Sequence, residues 1–239
     1  MKTGLAKSIM KKNRQGYNQT AEHFSSTRKF PWHDFEFFNE YIKDGDDILD
    51  AGCGNGRLFE FFKDKKINYS GLDSSNSLIQ IATKTYPTAN FQTGDITTLP
   101  FSDNKFNTIF CIATLHHIPS KKLRRQAISE FYRVLTPGGY LVMTNWNLLN
   151  TKWWPTLTSF SFNKIIGKNS LDWKDIIKPW KNSQGKIQAE RFLHAFTKCE
   201  MKKLLVDNDF KPEKQFYTKK DVTSNILSGF NLITIAKKS

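Results

Sequence analysis

Between Asp46 and about Asn147, short apolar runs ending in Asp or Gly take turns with longer stretches of helical periodicity. The runs are DILDAGCG (47–54), YSGLDSS (69–75), NFQTGD (90–95), FNTIFCIA (106–113) and YLVMTNW (140–146), all of strand length. The clearest helical stretch is Lys121–Leu135, where Leu123, Ala127, Ile128, Phe131, Val134 and Leu135 fall on one face. It stops at Thr136-Pro137-Gly138-Gly139, because proline and two glycines do not prolong a helix. Strand and helix in alternation predict β-α-β units, hence an α/β domain with a mostly parallel sheet and helices on both faces.

The rhythm breaks after Asn147. Residues 148–190 hold Trp153, Trp154, Trp173 and Trp180 and seven lysines against three acids, without a clean strand. This stretch reads as an insertion on the sheet's ligand edge that recognises substrate. A helix follows in KCEMKKLLVDNDF (198–210), with Met201, Leu204 and Leu205 inward. The last runs, KQFYTKK (214–220) and FNLITIAKK (230–238), alternate like two half-exposed strands. The expected organisation is a basic tail over residues 1–16, then a single domain over 17–239. Within it, residues 17–45 form an N-terminal lid or helix.

Composition adds class and partner. A hydrophobic share of 38% and a charged share of 24% over 239 residues suit one globular domain and exclude a disordered chain. The net charge of +14 favours a polyanionic partner, or serves solubility. Cys53, Cys111 and Cys199 lack the spacing of a disulfide framework or a zinc site, which points to a reducing compartment, the cytoplasm, and to no metal. No apolar run approaches the roughly 20 residues a bilayer span needs.

The chemistry begins at ILDAGCGNGRL (48–58), where Gly52, Gly54 and Gly56 follow a strand and precede a helix. Glycines allow a tight turn and close approach to a ligand, and the helix start offers unpaired N–H groups. Asp73 ends the next strand, where a carboxylate can accept from two ribose hydroxyls. The spacing is G-x-G-x-G, and Arg57 stands where a dinucleotide fingerprint needs glycine. Thr93-Gly94-Asp95 closes the third strand and Pro137-Gly138-Gly139 precedes the fifth. As a set, these features resemble class I S-adenosylmethionine-dependent methyltransferases over residues 46–147. That resemblance implies a Rossmann-like, seven-stranded sheet whose C-terminal hairpin inserts one antiparallel strand, with S-adenosyl-L-methionine as cofactor. By the same resemblance, Asp50, Gly52, Cys53, Gly54, Asn55 and Gly56 lie near its methionine end, Asp73 and Ser74 at the ribose, and Asp95 and Ile96 at the adenine. Cys111, with Ile112, lines the pocket, and His116 or His117 stands at its edge, His116 being counted among the cofactor-binding residues.

The chain ends suggest the acceptor. Tyr17, Ala21, His23, Phe24, Ser25, Thr27, Arg28, Pro31 and Trp32 match a pattern at the start of the tRNA wobble-uridine carboxymethyl methyltransferase family. Pro179, Trp180, Arg191, Phe192, His194 and Phe196 match later segments of it, with departures at Lys29, His33 and Leu193. The resemblance implies esterification of a carboxymethyl group in the tRNA anticodon loop and, in some members, a small zinc-binding activator protein. A carboxylate with a pKa near 4 needs no general base, and an arginine fork matches its geometry. Arg28 and Arg191 are therefore candidate clamps, His194 and Tyr17 accessory donors, and Ser25–Arg28 a lid. The alternatives are a small-molecule methylase acting on a metabolite such as a quinone precursor, and a non-catalytic nucleic-acid-binding module.

Overall fold

The structure is a computed structural model that describes residues 1–28, 32–181, 184–220 and 222–239, without the side chains of residues 33 and 34. Lys29 and Pro31 of the N-terminal pattern therefore lie outside the described residues. The chain opens with α1 (Thr3–Gln19) and α2 (Ala21–Ser26), then a 3₁₀ segment (His33–Tyr41) that leads to β1 (Asp47–Ala51). The alternating part follows as α3 (Arg57–Phe62), β2 (Asn68–Asp73), α4 (Asn76–Thr85), β3 (Asn90–Thr93), β4 (Phe106–Ile112), α5 (Lys121–Val134) and β5 (Leu135–Trp146). After it come α6 (Trp154–Ile165), β6 (Asp175–Lys181), β7 (Ile187–His194), α7 (Lys198–Val206), β8 (Phe210–Lys219), β9 (Val222–Ser224) and β10 (Asn231–Lys238).

The main sheet runs β3-β2-β1-β4-β5-β10-β8-β9. β1 pairs in parallel with β2 and β4, and β4 with β5, while β10 is antiparallel to both β5 and β8. This is the expected seven-stranded order with one antiparallel insertion, and β9 adds a three-residue edge. Period-two alternation fills both faces: on β4, Ile109 and Cys111 join the cluster under α5 and α7. Phe110 between them packs with Phe35, Phe38 and Phe62 on the other face. Successive strands are added outward on one side up to β3 and on the other from β4. Strand order thus switches between the parallel β1 and β4, and the crevice beyond their carboxyl ends is where an open α/β sheet binds ligands.

Two expectations are corrected here. The basic start is not a tail: α1 buries Ala6, Ile9, Asn13 and Gly16 along one face and lies across β7. A Cβ at Gly16 would meet the Ala189 Cβ at 3.0 Å, so glycine sets how closely the helix approaches the strand. So few apolar residues mark that face that the lysines around it dominate the pattern. The tryptophan-rich stretch, read as strandless, contains β6, which pairs antiparallel with β7 in a separate two-stranded sheet. Pro179 and two lysines, Lys178 and Lys181, disguise it, and a proline is tolerated on such an edge strand. On β7, Leu193 packs with Ile176 and Leu157 on the α6 side, whereas its neighbour Phe192 packs with Ile9 of α1.

Candidate active site

β1 delivers Asp50 and then the glycine loop to the crevice. Gly52 takes φ +93°, and a Cβ there would lie 2.2 Å from the Thr114 hydroxyl oxygen, so only glycine passes. The loop is tied to β2 twice: the Gly52 and Cys53 amides donate to the Leu72 carbonyl, and the Gly54 amide donates to Asp73 Oδ2 at 2.9 Å. Asp73 Oδ1 accepts from the Ser75 amide at 2.8 Å, so this carboxylate holds both the loop and the start of α4. Burial pushes the Asp73 carboxyl up, against the opposing pull of those amides.

Asp50 is buried, and the Tyr69 hydroxyl donates to its Oδ2 at 2.6 Å. Its Oδ1 has no hydrogen-bond partner among the described residues. Burial raises the Asp50 carboxyl to about 7, with Tyr69 and the Arg57 charge opposing the rise. Asp95 Oδ1 accepts from both the amide and the hydroxyl of Thr97, at 2.8 and 2.7 Å. One continuous cavity of about 650 Å³ is lined by Asp50, Gly52, Cys53, Gly54, Asp73, Ser74, Asp95 and Ile96. Tyr17, Phe24, Arg28, His117, Trp146 and Arg191 close its other end. The donor set fits a ligand joining a cationic amino-acid part to a nucleoside: a buried acid with a spare oxygen at one point, and carboxylates at two successive strand ends.

At the far end, two arginines converge. Arg191 is 8% exposed, and its Cζ lies 4.2 Å from the Trp180 ring centroid and 5.3 Å from that of Trp146. Arg28 Cζ lies 4.2 Å from the Phe24 centroid and 5.8 Å from that of Trp180. Arg28 donates to the Thr27 hydroxyl and the Phe24 carbonyl, and Arg191 Nε is buried without a partner among the described residues. Among the described residues, neither guanidinium faces a carboxylate. Burial lowers Arg28, and the nearby Arg191 charge adds to that. Two cations held together on aromatic rings call for an anion between them.

His117 fixes Tyr17 beside them. The His117 Nδ1 lies 3.0 Å from the Phe192 carbonyl, which can only accept, so Nδ1 carries the proton. Nε2 then accepts from the Tyr17 hydroxyl at 2.9 Å. Burial pulls His117 down to about 4, so the ring stays neutral. Asn13 of α1 locks the arrangement by donating to the His117 carbonyl and accepting from the Phe192 amide, at 3.1 and 2.9 Å.

Five residues expected at the site stand elsewhere. His116 is fully buried behind His117, and its Nδ1 accepts from the Trp146 amide. On the helical turn over Leu115–His117 the two ring centroids lie 4.4 Å apart, yet only His117 lines the cavity. Cys111 points into the core cluster under the sheet. Asn55 donates to the Arg28 carbonyl, and Gly56 closes the turn ahead of α3, so neither lines the cavity. His194 is engaged at both nitrogens, with Asp175 at 2.6 Å and Glu200 at 2.8 Å, and joins β6, β7 and α7 together away from the cavity. Conversely, Trp146, Arg57 and Asn13 line the cavity although no motif marks them as site residues. Trp146 ends β5 at the same sheet edge as β1 and β4, a signal available in the strand pattern; Asn13 carries none.

Residues 49–143 match the family model described as a methyltransferase domain. A tRNA (carboxymethyluridine(34)-5-O)-methyltransferase of Arabidopsis thaliana is 35% identical over 145 residues, 58% of this chain and 35% of that protein. The chain thus spans about a third of that relative's length. Among solved structures, a SAM-dependent methyltransferase of Methanosarcina mazei superposes with a TM-score of 0.67 at 24% identity, over 84% of this chain and 96% of that one. A methyltransferase solved in complex with the Haloferax volcanii Trm112 methyltransferase activator gives 0.67 at 17% identity, over 94% and 96%. These likenesses show the fold.

Proposed function

We propose, for a chain carrying an S-adenosylmethionine-dependent methyltransferase domain over residues 49–143, that the methyl acceptor is a carboxylate borne on RNA. The specific reading is the carboxymethyl group of a wobble uridine in the tRNA anticodon loop, converted to its methyl ester. The observation that carries it is the pair Arg28 and Arg191, without carboxylate partners among the described residues and in one cavity with Asp50 and Asp73. The Arabidopsis thaliana relative supports it by name, as does the pattern from Tyr17 to Trp32 and from Pro179 to Phe196.

In this reading Asp50 and the glycine loop hold the methionine part of the cofactor, Asp73 and Ser74 the ribose, and Asp95 and Ile96 the adenine. Bound there, the cofactor supplies an electrophilic methyl on positively charged sulfur, which the acceptor oxygen takes as the S–CH₃ bond breaks, so that both charges vanish and no proton moves. Arg28 and Arg191 fork the acceptor carboxylate and orient one oxygen. Phe24, Trp146 and Trp180 keep water from that oxygen, leaving its lone pair free to attack. Tyr17 commits its hydroxyl proton to His117, which leaves its oxygen lone pairs to the neighbouring Arg191 guanidinium. No side chain acts as a general base, since the acceptor is already ionised at neutral pH.

The reading extends to a small zinc-binding activator subunit, in keeping with the likeness to a methyltransferase solved in complex with a methyltransferase activator. It also places the protein in the cytoplasm, consistent with three free cysteines. Among the described residues no helix is long and apolar enough to cross a membrane, and no cluster of side chains could hold a metal. Methyl transfer to bulk tRNA, followed by nucleoside mass spectrometry, tests the proposal: a methyl ester on a carboxymethyluridine is expected. Arg28→Ala and Arg191→Ala should each lower kcat/KM about 10- to 100-fold, from the 1.5–3 kcal/mol typical of a hydrogen bond to a charged group, while cofactor affinity holds. Transfer to no RNA, with turnover on a small carboxylate instead, would sink it.

A further inference from the structure

Four cations at the cavity mouth serve neither half of this reaction. Lys7, Lys11 and Arg14 share one face of α1 and, with Lys122 at the start of α5, line the cavity near Thr97 and Gln126. All four are exposed, and none has an ion pair or hydrogen bond among the described residues. No acid precedes Glu22 in the chain. A cofactor that is itself cationic does not call for them, and the acceptor carboxylate has Arg28 and Arg191.

At about 1.5 Å of rise per residue, Lys7 to Arg14 spans about 10 Å along the helix, too far for one small anion and suited to a run of charges. Every exposed position of α1 is Lys, Arg, Gln, Thr, Ser or Gly, so the helix offers no apolar side chain to insert into a bilayer. Spaced cations without apolar neighbours match a sugar–phosphate backbone.

We propose that this face of α1, together with Lys122, is a docking track for the phosphates of the RNA acceptor flanking the reacting nucleotide. The inference rests on the RNA reading above and adds where the RNA runs: over α1, whose far end carries Tyr17 into the cavity. The phosphates bind without base readout, so the track adds affinity and register rather than sequence choice.

The test is the salt dependence of bulk tRNA binding to the whole protein, measured for the wild type and for Lys7→Gln/Lys11→Gln/Arg14→Gln. Three lost phosphate contacts should make the slope of log K against log salt shallower by about 2 to 3, at about 0.7–0.9 per contact. A control, Lys66→Gln/Lys202→Gln/Lys211→Gln, removes the same charge at positions off the cavity and should change the slope far less. Thermal unfolding checks that the variants fold, and Lys11→Gln alone, expected to shift the slope by about 0.7–0.9, serves if the triple variant does not. A steep wild-type slope that the triple variant leaves unchanged overturns the track and spares the RNA reading. Equal effects of the control and the triple variant overturn it as mere net charge. Wild-type binding that ignores salt removes the RNA reading and the track with it. Sedimentation with phosphatidylserine–phosphatidylcholine vesicles, lost in the triple variant while the RNA slope stays, would make the face a membrane surface instead.

Discussion

Two carboxylates with opposite duties sit at adjacent strand ends. Asp73 is tied to the Gly54 and Ser75 amides, so Asp73→Ala removes two backbone anchors as well as any ligand contact. At about 1–1.5 kcal/mol per hydrogen bond, cofactor affinity should fall about 100-fold or more, read by calorimetry. Unchanged affinity would contradict its assignment to the ribose. Asp50 keeps a spare oxygen, and burial holds its carboxyl at about 7. Its charged form, which attracts a cationic ligand, therefore prevails only above that pH. Cofactor affinity should rise from pH 6 to pH 8 and level off, and Asp50→Asn should flatten the profile; a wild type that binds equally at both pH values refutes it. The carboxylates were legible because each closes a run of apolar residues. Their protonation was not, because it depends first on burial, opposed at Asp50 by Tyr69 and Arg57 and at Asp73 by backbone amides, all set by the fold.

Among the elements, α1 and β6 depart furthest from what periodicity predicts, and both pack on β7. Asn13 bridges the His117 carbonyl and the Phe192 amide, residues 104 and 179 positions away. Asn18, at the end of the same helix, accepts from the Ser75 hydroxyl and the Ser77 amide. Asn13→Ala strands two polar backbone groups, at a cost of about 1–3 kcal/mol each if buried. Thermal unfolding should fall by several degrees, at about 2–4 °C per kcal/mol for a chain of this size. Methyl transfer should fall as well, because His117 and Tyr17 lose their common support. An unaltered melting temperature would show that α1 is not held this way. A helix with four buried positions among lysines presents a weak periodic signal, and a strand containing Pro179 among lysines presents almost none. Both are stabilised through β7, which no local window registers.

At the scale of the molecule, 36 lysines and arginines stand against 22 acids, a net charge of +14. Binding to tRNA should therefore weaken steeply with salt, by about 0.9 log unit of affinity per log unit of salt for each duplex phosphate contacted. A filter-binding series in rising potassium chloride measures this, and a flat response argues against a nucleic-acid partner. The parallel part of the sheet was legible because strands and helices alternate over short spans of chain. The position of the basic charge relative to the cavity was not, since α1 reaches it by packing on β7 and α4, elements remote from it in the chain.

What the chain alone determined, then, is whatever neighbouring residues settle between themselves. The strands β1 to β5, β8 and β10, α5, the G-x-G-x-G turn and the acids that close β1 and β2 follow from periodicity, from glycine's freedom at positive φ and from the need of a strand end to meet a ligand. The tertiary structure decided which side chains share a volume. It put His117 at the cavity and His116 behind it, set His194 between two carboxylates, and brought Arg28 and Arg191 to the same tryptophan from ends of the chain 163 residues apart. Burial, charge pairing and a carboxyl held at about 7 depend on such encounters, so they exist only once the sheet has formed and α1 has packed on β7.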